Sequence, residues 1–159
     1  MSYPTEPKKL SVIERVIAVL NDIVEGDDYF YTPGDVQGKK THWMKQLADL
    51  SYAAIFAGAE DAPVHHAGYN VEETFSIVVI GDIKNNDGEL QKMIPRCLRD
   101  VRSALFADMA VGTAGTLGIL CRGLQLGPWT SGVGQGPSEN QGHFEQQFMF
   151  TISGDIKDL

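Results

Sequence analysis

Cys97 and Cys121 are the only thiols in the 159-residue chain, and His42, His65, His66 and His143 its only imidazoles. A nucleophilic thiol needs a neighbouring base and a third group to orient that base. Cys97 instead falls on an apolar stripe with Ile94, Leu98 and Val101, and Cys121 lies in the apolar run Leu117 to Leu126. Both read as small core residues. His65 and His66 are adjacent, so in an extended chain they point to opposite faces, and with Glu60 and Asp61 they match no familiar metal-ligand spacing. Gly132-Val133-Gly134-Gln135-Gly136 has the look of a phosphate loop, yet no Lys-Ser/Thr pair and no helix start follows it. No Gly-x-Ser-x-Gly elbow occurs. The residue types thus predict no catalysis, no resident metal and no cofactor.

The one dense basic cluster is Lys92, Arg96, Arg99 and Arg102, recurring at four, three and three residues along one helical face. Three readings are open for it: an ordinary solvated face, an ion-pair seam with an acidic neighbouring subunit, or a phosphate contact. Asp27, Asp28, Glu60 and Asp61 are the acids available for a seam. With 13 basic and 21 acidic residues the formal charge is −8, which repels phosphate at long range and argues against tight non-specific nucleic-acid binding.

The elements that position these residues follow from periodicity. A chain of this length is expected to form one domain with a single core. Two cysteines cannot staple a secreted fold, and no apolar run approaches the roughly 20 residues of a membrane helix. The N-terminus carries no apolar leader, so a cytoplasmic product is expected. Residues 1–9, with Pro4 and Pro7, read as a mobile arm that orders only against a partner. Ser11 and Glu14 form a capping box ahead of a helix over Val12 to Glu25, with Leu10, Ile13, Ile17, Leu20 and Val24 on its apolar stripe, Val16 and Ile23 widening it, and Gly26 as its stop. Tyr29-Phe30-Tyr31 reads as a short strand, Asp35 to Leu50 as a short helix or clamped loop, and Ser51 to Gly58 as a buried strand. The alternation from Val71 to Ile83 is the clearest strand in the chain. A second helix carries Leu90, Met93, Ile94, Cys97, Leu98, Val101 and Leu105, with a bend expected at Pro95. Leu117 to Leu126 reads as a strand, Gly127 to Gly142 as a flexible glycine-rich loop, and Phe144 to Ile152 as a closing strand. The order α-β-β-β-α-β-β predicts an α+β domain: a single mixed or antiparallel sheet with two main helices on one face.

This layout resembles that of the tail terminator, or tail completion, proteins of long-tailed bacteriophages. The resemblance is carried by the opening helix Ser11 to Leu20, the strand Phe75 to Ile83 and the aromatic closing strand. It also rests on the segment Leu98 to Asp108, similar to the family's stretch Asp-Val-Arg-x-Ala-Leu-x-x-Asp ahead of a Gly-rich turn. The resemblance implies a non-enzymatic virion protein of the tail or neck, assembled in the host cytoplasm. It implies a homohexameric ring that stops tube elongation, with the tail tube protein and the head connector or stopper as partners and DNA passing through the lumen without specific binding. Lys92, Arg96, Arg99 and Arg102 against Asp27, Asp28, Glu60 and Asp61 are the candidate subunit seam. Trp129, Ser131, Val133, Gln135 and Glu139 are the candidate contacts of a partner-facing loop. The alternatives are another neck or tube subunit, or a small α+β ligand-binding domain or enzyme.

Overall fold

A computed structural model describes residues 4–38, 49–59, 64–67, 70–85, 88–134 and 140–159. Its elements are α1 (Lys8–Asn21), β1 (Asp35–Gln37), β2 (Leu50–Ala59), β3 (Val64–Ala67), β4 (Asn70–Lys84), α2 (Leu90–Ala110), α3 (Leu117–Leu120), β5 (Gly123–Val133) and β6 (Gln141–Asp155). The sheet runs β1-β2-β4-β6-β5, with β3 also paired to β4. β1 joins β2 in parallel, and every other pairing is antiparallel. This is the expected α+β domain with one mixed sheet, and its two long helices pack on one face of it.

β4 and β6 pair along fifteen residues each and form the spine. Their helix-facing rows are Phe75, Ile77 and Val79 on β4, and Phe144, Gln146, Phe148, Phe150 and Ile152 on β6, all fully buried. The period-2 alternation therefore marked the core rows correctly. Phe75 stacks on Phe150 with ring centroids 5.9 Å apart, and Tyr52 meets Phe144 edge-on at 6.0 Å. Gly81 lies directly opposite Phe144. A β-carbon on Gly81 would sit 2.1 Å from the Phe144 ring, which is itself buried and has nowhere to move. Gly81→Ala is therefore expected to cost about 2 kcal/mol through overpacking, read as a lower denaturation midpoint at unchanged denaturant slope. A midpoint equal to wild type would show that Phe144 has room after all.

Several local expectations are corrected. α1 starts at Lys8, four residues before Val12 and inside the supposed arm, with Pro7 rather than Ser11 at its cap. The reason is tertiary: the Lys8 N–H donates to the Asp158 carbonyl at 2.7 Å, and Lys8 Nζ donates to the Ser153 carbonyl at 2.6 Å. The tail thus satisfies the first donor of a helix that begins ahead of the capping box, and the Ser11 N–H is met inside it by the Pro7 carbonyl. The buried stripe of α1 is Val12, Val16, Val19 and Leu20, continued past the helix by Ile23, whereas Leu10 and Val24 are exposed. This helix is apolar on much of its circumference, so its partners decided the rotation. α1 ends at Asn21 rather than Glu25, with Asp22 as its cap.

Tyr29 to Tyr31 is not a strand; the short β1 falls at Asp35–Gln37 instead. α2 runs unbroken through Pro95. That proline is the sixth residue of the helix, past the first-turn donors that have no acceptor, so it removes the bond to the Gln91 carbonyl without ending the helix. Leu117 to Leu120 is a helical turn, and Cys121 caps it. The supposed loop Gly127 to Gly142 is strand at both ends: β5 continues to Val133 and β6 begins at Gln141. Its glycines were no obstacle, because an edge strand gains its order from backbone hydrogen bonds to β6 and buries little side chain. Trp43, Leu47, His42, Glu60, Asp61, Gln135 and Glu139 lie outside the described residues.

Candidate functional site: a stapled helix and the groove beside it

The polar residues of α2 organise one end of the molecule. Asp100 is fully buried although it is a carboxylate. Its Oδ2 accepts the backbone N–H groups of Phe30 at 2.9 Å and Tyr31 at 3.1 Å. Arg99 donates to the Asp28 carbonyl and lies 3.3 Å from Asp100 Oδ1. The Arg96 and Arg99 guanidiniums sit 5.0 Å and 5.5 Å from the centre of the Phe30 ring, and Arg96 reaches the Tyr31 hydroxyl at 3.4 Å. The aromatic segment after α1 is thus strapped onto α2 through side chains, without joining the sheet. Among the described residues Lys92 pairs with Glu89, one turn away at 3.5 Å and largely in water, an arrangement worth little.

Asp108 closes the other end of the same helix. Arg15 of α1 grips it with two bonds, Nε to Oδ2 at 3.0 Å and Nη2 to Oδ1 at 2.6 Å. Asp108 Oδ2 also accepts the Leu117 N–H at 2.8 Å, which anchors the start of α3. The guanidinium bonds, with help from that N–H, hold the Asp108 carboxyl below the usual carboxylate range, and the same bonds raise Arg15. Both aspartates of the stretch Asp100 to Asp108 are therefore internal anchors, one for the segment after α1 and one for α1 and α3.

Arg102 turns the other way. Its Nε and Nη2 donate to Oε1 of Gln146 at 2.9 and 2.5 Å, and Gln146 Nε2 donates to the Gly127 carbonyl at 2.9 Å. Gln146 is the single polar member of the inward row of β6, and this chain of bonds is what lets it be buried. The Gly127 carbonyl is positioned by a bulge: Leu126 opposes Phe148, but Trp129 rather than Pro128 opposes Gln146. The extra residue shifts the alternation, so Trp129, Ser131 and Val133 stand on the helix side of the sheet. The result is a groove of about 420 Å³ between α2 and β5, bordered by Ile94, Pro95, Leu98, Arg99, Arg102 and Trp129, with Ser131 and Val133 along the strand. Trp129 is 52% exposed, with Arg102 5.7 Å from its ring centre.

The structure thus divides the four basic candidates. Arg96 and Arg99 hold the Asp28 to Tyr31 segment of their own chain, Arg102 braces β6 and the groove, and Lys92 faces solvent. Asp27 and Asp28 lie beside the first pair, with both residues exposed. Sequence reasoning passed over Asp100, Asp108, Arg15 and Gln146. Their signal was available: each aspartate interrupts an apolar helical stripe, and Gln146 interrupts an aromatic row.

Burial pushes both thiols up to about 12, so neither is a thiolate near neutral pH. Burial also raises the Tyr52 phenol, which lies near Cys97 and has no hydrogen-bond partner among the described residues. Among those residues no three His, Cys, Asp or Glu side chains gather as a metal set, and no helix is long and apolar enough to cross a membrane. Among known proteins, no family model and no curated sequence matches the chain.

Proposed function

We propose that this chain is a structural subunit that joins copies of itself into a ring, in the role of a phage tail terminator: it ends the tail tube and offers the head connector a surface. One observation carries the reading. Among the described residues the sheet ends in β5, which pairs with β6 on one side only, while on the face opposite the helices Ala53, Ser76 and Ile80 are buried and Ile55, Val78 and Met149 half-buried. That face is laced by short polar pairs, Gln147 to Ser76 at 2.7 Å and Thr74 to Thr151 at 3.1 Å. Beside it, the eleven-residue edge strand β5 carries the exposed Leu126, Trp129 and Val133. A long edge strand with exposed apolar side chains invites association unless something occupies it. A head-to-tail contact using such surfaces closes on itself when the rotation per subunit divides a full turn, and a closed ring leaves no free end. The net charge of −8 suits a channel wall that lets DNA pass without capture.

The test is mass and shape in solution. Light scattering is expected to give a multiple of 17.4 kDa, and negative-stain images a ring with a central hole. Added to polymerising tail tube protein, the ring is expected to cap it, whereas a tube subunit would extend it and an adaptor would leave its length unchanged. A chain that stays monomeric at all concentrations, including beside assembled tubes, overturns the reading.

A further inference from the structure

The groove between α2 and β5 has a floor, a mouth and a charge. Ile94, Leu98 and the exposed face of Pro95 supply apolar surface, Trp129 supplies a broad aromatic wall, and Arg99 and Arg102 place two permanent positive charges at the rim. Grooves of this kind, aromatic-walled and shallow, suit proline-rich segments in the polyproline-II conformation, which enter already ordered and so lose little entropy.

The chain carries one such segment, Pro4-Thr5-Glu6-Pro7, with prolines three residues apart and so on the same edge of a three-residue-per-turn helix. Pro7 has φ −59° and ψ 141°, the polyproline-II values, and all four residues are exposed. Between the prolines stands Glu6, opposite in sign to the groove rim. In a chain of net charge −8, two copies repel at a distance, so a lasting contact needs local complementarity of this kind.

The segment cannot occupy its own groove. Lys8 is tied to Ser153 and Asp158, at the far end of β6. The groove flanks the start of that strand, where Trp129 opposes Gln146 and Val133 opposes Gly142. Seven strand residues from Ser153 to Gln146 span roughly 23 Å at about 3.3 Å each, while Pro4 lies only about 12 Å of polyproline-II chain from Lys8. We propose that Pro4–Pro7 of one copy docks in the α2–β5 groove of the next copy, with Glu6 between Arg99 and Arg102 and a proline against Trp129. The contact joins opposite ends of β6 on neighbouring molecules, so it is head-to-tail and polar. It rests on the reading that copies of this chain associate, and it names the segment and the receptor that link them.

The test mixes two full-length variants, Thr5→Cys and Ser131→Cys, under mild oxidation; the native thiols are buried and do not compete. A mixed disulfide dimer is expected from the pair. Its yield should fall about tenfold or more on adding Trp129→Ala, the truncation of a central aromatic anchor, and up to about fivefold with Glu6→Lys, a rim charge. A synthetic peptide of residues 1–9, in excess, is expected to compete. Thermal unfolding of the Trp129→Ala variant at its wild-type midpoint confirms that the loss is one of contact. No mixed disulfide, or a yield indifferent to both substitutions, overturns the inference. Rings that persist under those conditions would retain the assembly reading and discard only the arm, and cross-linked open filaments would do the reverse.

Discussion

Asp108→Ala is expected to lower stability by about 3 kcal/mol, toward the bottom of the range for removing one partner of a buried ion pair, because Arg15 retains partial contact with water. The substitution strips Arg15 of both its bonds and leaves the Leu117 N–H without its acceptor. For a chain of this size that is a fall in melting temperature of roughly 6–12 °C. The pair also has a pH signature. The Asp108 carboxyl is held below its unfolded value by Arg15, so between the two values the unfolded chain binds the extra proton and stability rises with pH. The pair's contribution is therefore complete above about pH 4 and declines as pH falls through the lower folded value. Asp108→Asn is expected to flatten that part of the pH–stability curve while leaving the neutral region parallel. Acid unfolding of the two proteins followed side by side measures this, and parallel curves down to pH 2 would show that the carboxylate is not titrating against Arg15. A double-mutant cycle with Arg15→Ala is expected to be non-additive, since either single change already breaks the pair.

Removing the other buried aspartate acts on a different part of the molecule. Asp100→Ala is expected to cost about 3 kcal/mol, since it deletes two charge-assisted bonds to the backbone of Phe30 and Tyr31. The loss stays near the low end for two such bonds because the freed segment can turn toward water. Its mark is local. Hydrogen exchange at the Phe30 and Tyr31 amides should accelerate far more than at β4 or β6, whose amides report global opening. Arg96 and Arg99 lose the Phe30 ring with it, so the basic face of α2 becomes free. Asp100→Asn, which keeps one oxygen acceptor, is expected to recover about half of the loss. Unchanged protection at those two amides would show that Asp100 is not what holds the segment.

The two anchors explain why the stretch from Asp100 to Asp108 stands out in the sequence. Val101, Ala104 and Leu105 are buried on one side of α2. Asp100 and Asp108 fix that helix to the segment after α1, to α1 itself and to α3, while Arg102 fixes it to the middle of β6. Every layer of the fold is registered against these roughly two turns of helix. The arginines first considered for a seam between subunits are largely committed within the chain, so a contact with a neighbour has to use what they leave open, which is the rim of the groove.

The alternation of β4 and β6 and the apolar stripe of α2 are determined by the sequence alone. Side-chain period is a local property, and Phe75, Ile77, Val79 and the row Phe144 to Ile152 are buried because a two-residue repeat puts its apolar row on the face that the helices cover. From these elements the α+β class and the single helical layer follow. The start and rotation of α1 do not, because its first donor is satisfied by Asp158, 150 residues away, and its broad apolar stripe, about half of the circumference, fits more than one orientation. Nor does β5, whose glycine-rich chain becomes a strand only because β6 offers it a ladder. The groove is the furthest from the sequence: one extra residue at Gly127-Pro128 reverses which side Trp129 faces, and a bulge is chosen by the pairing of two strands, a relation that no local window of residues contains.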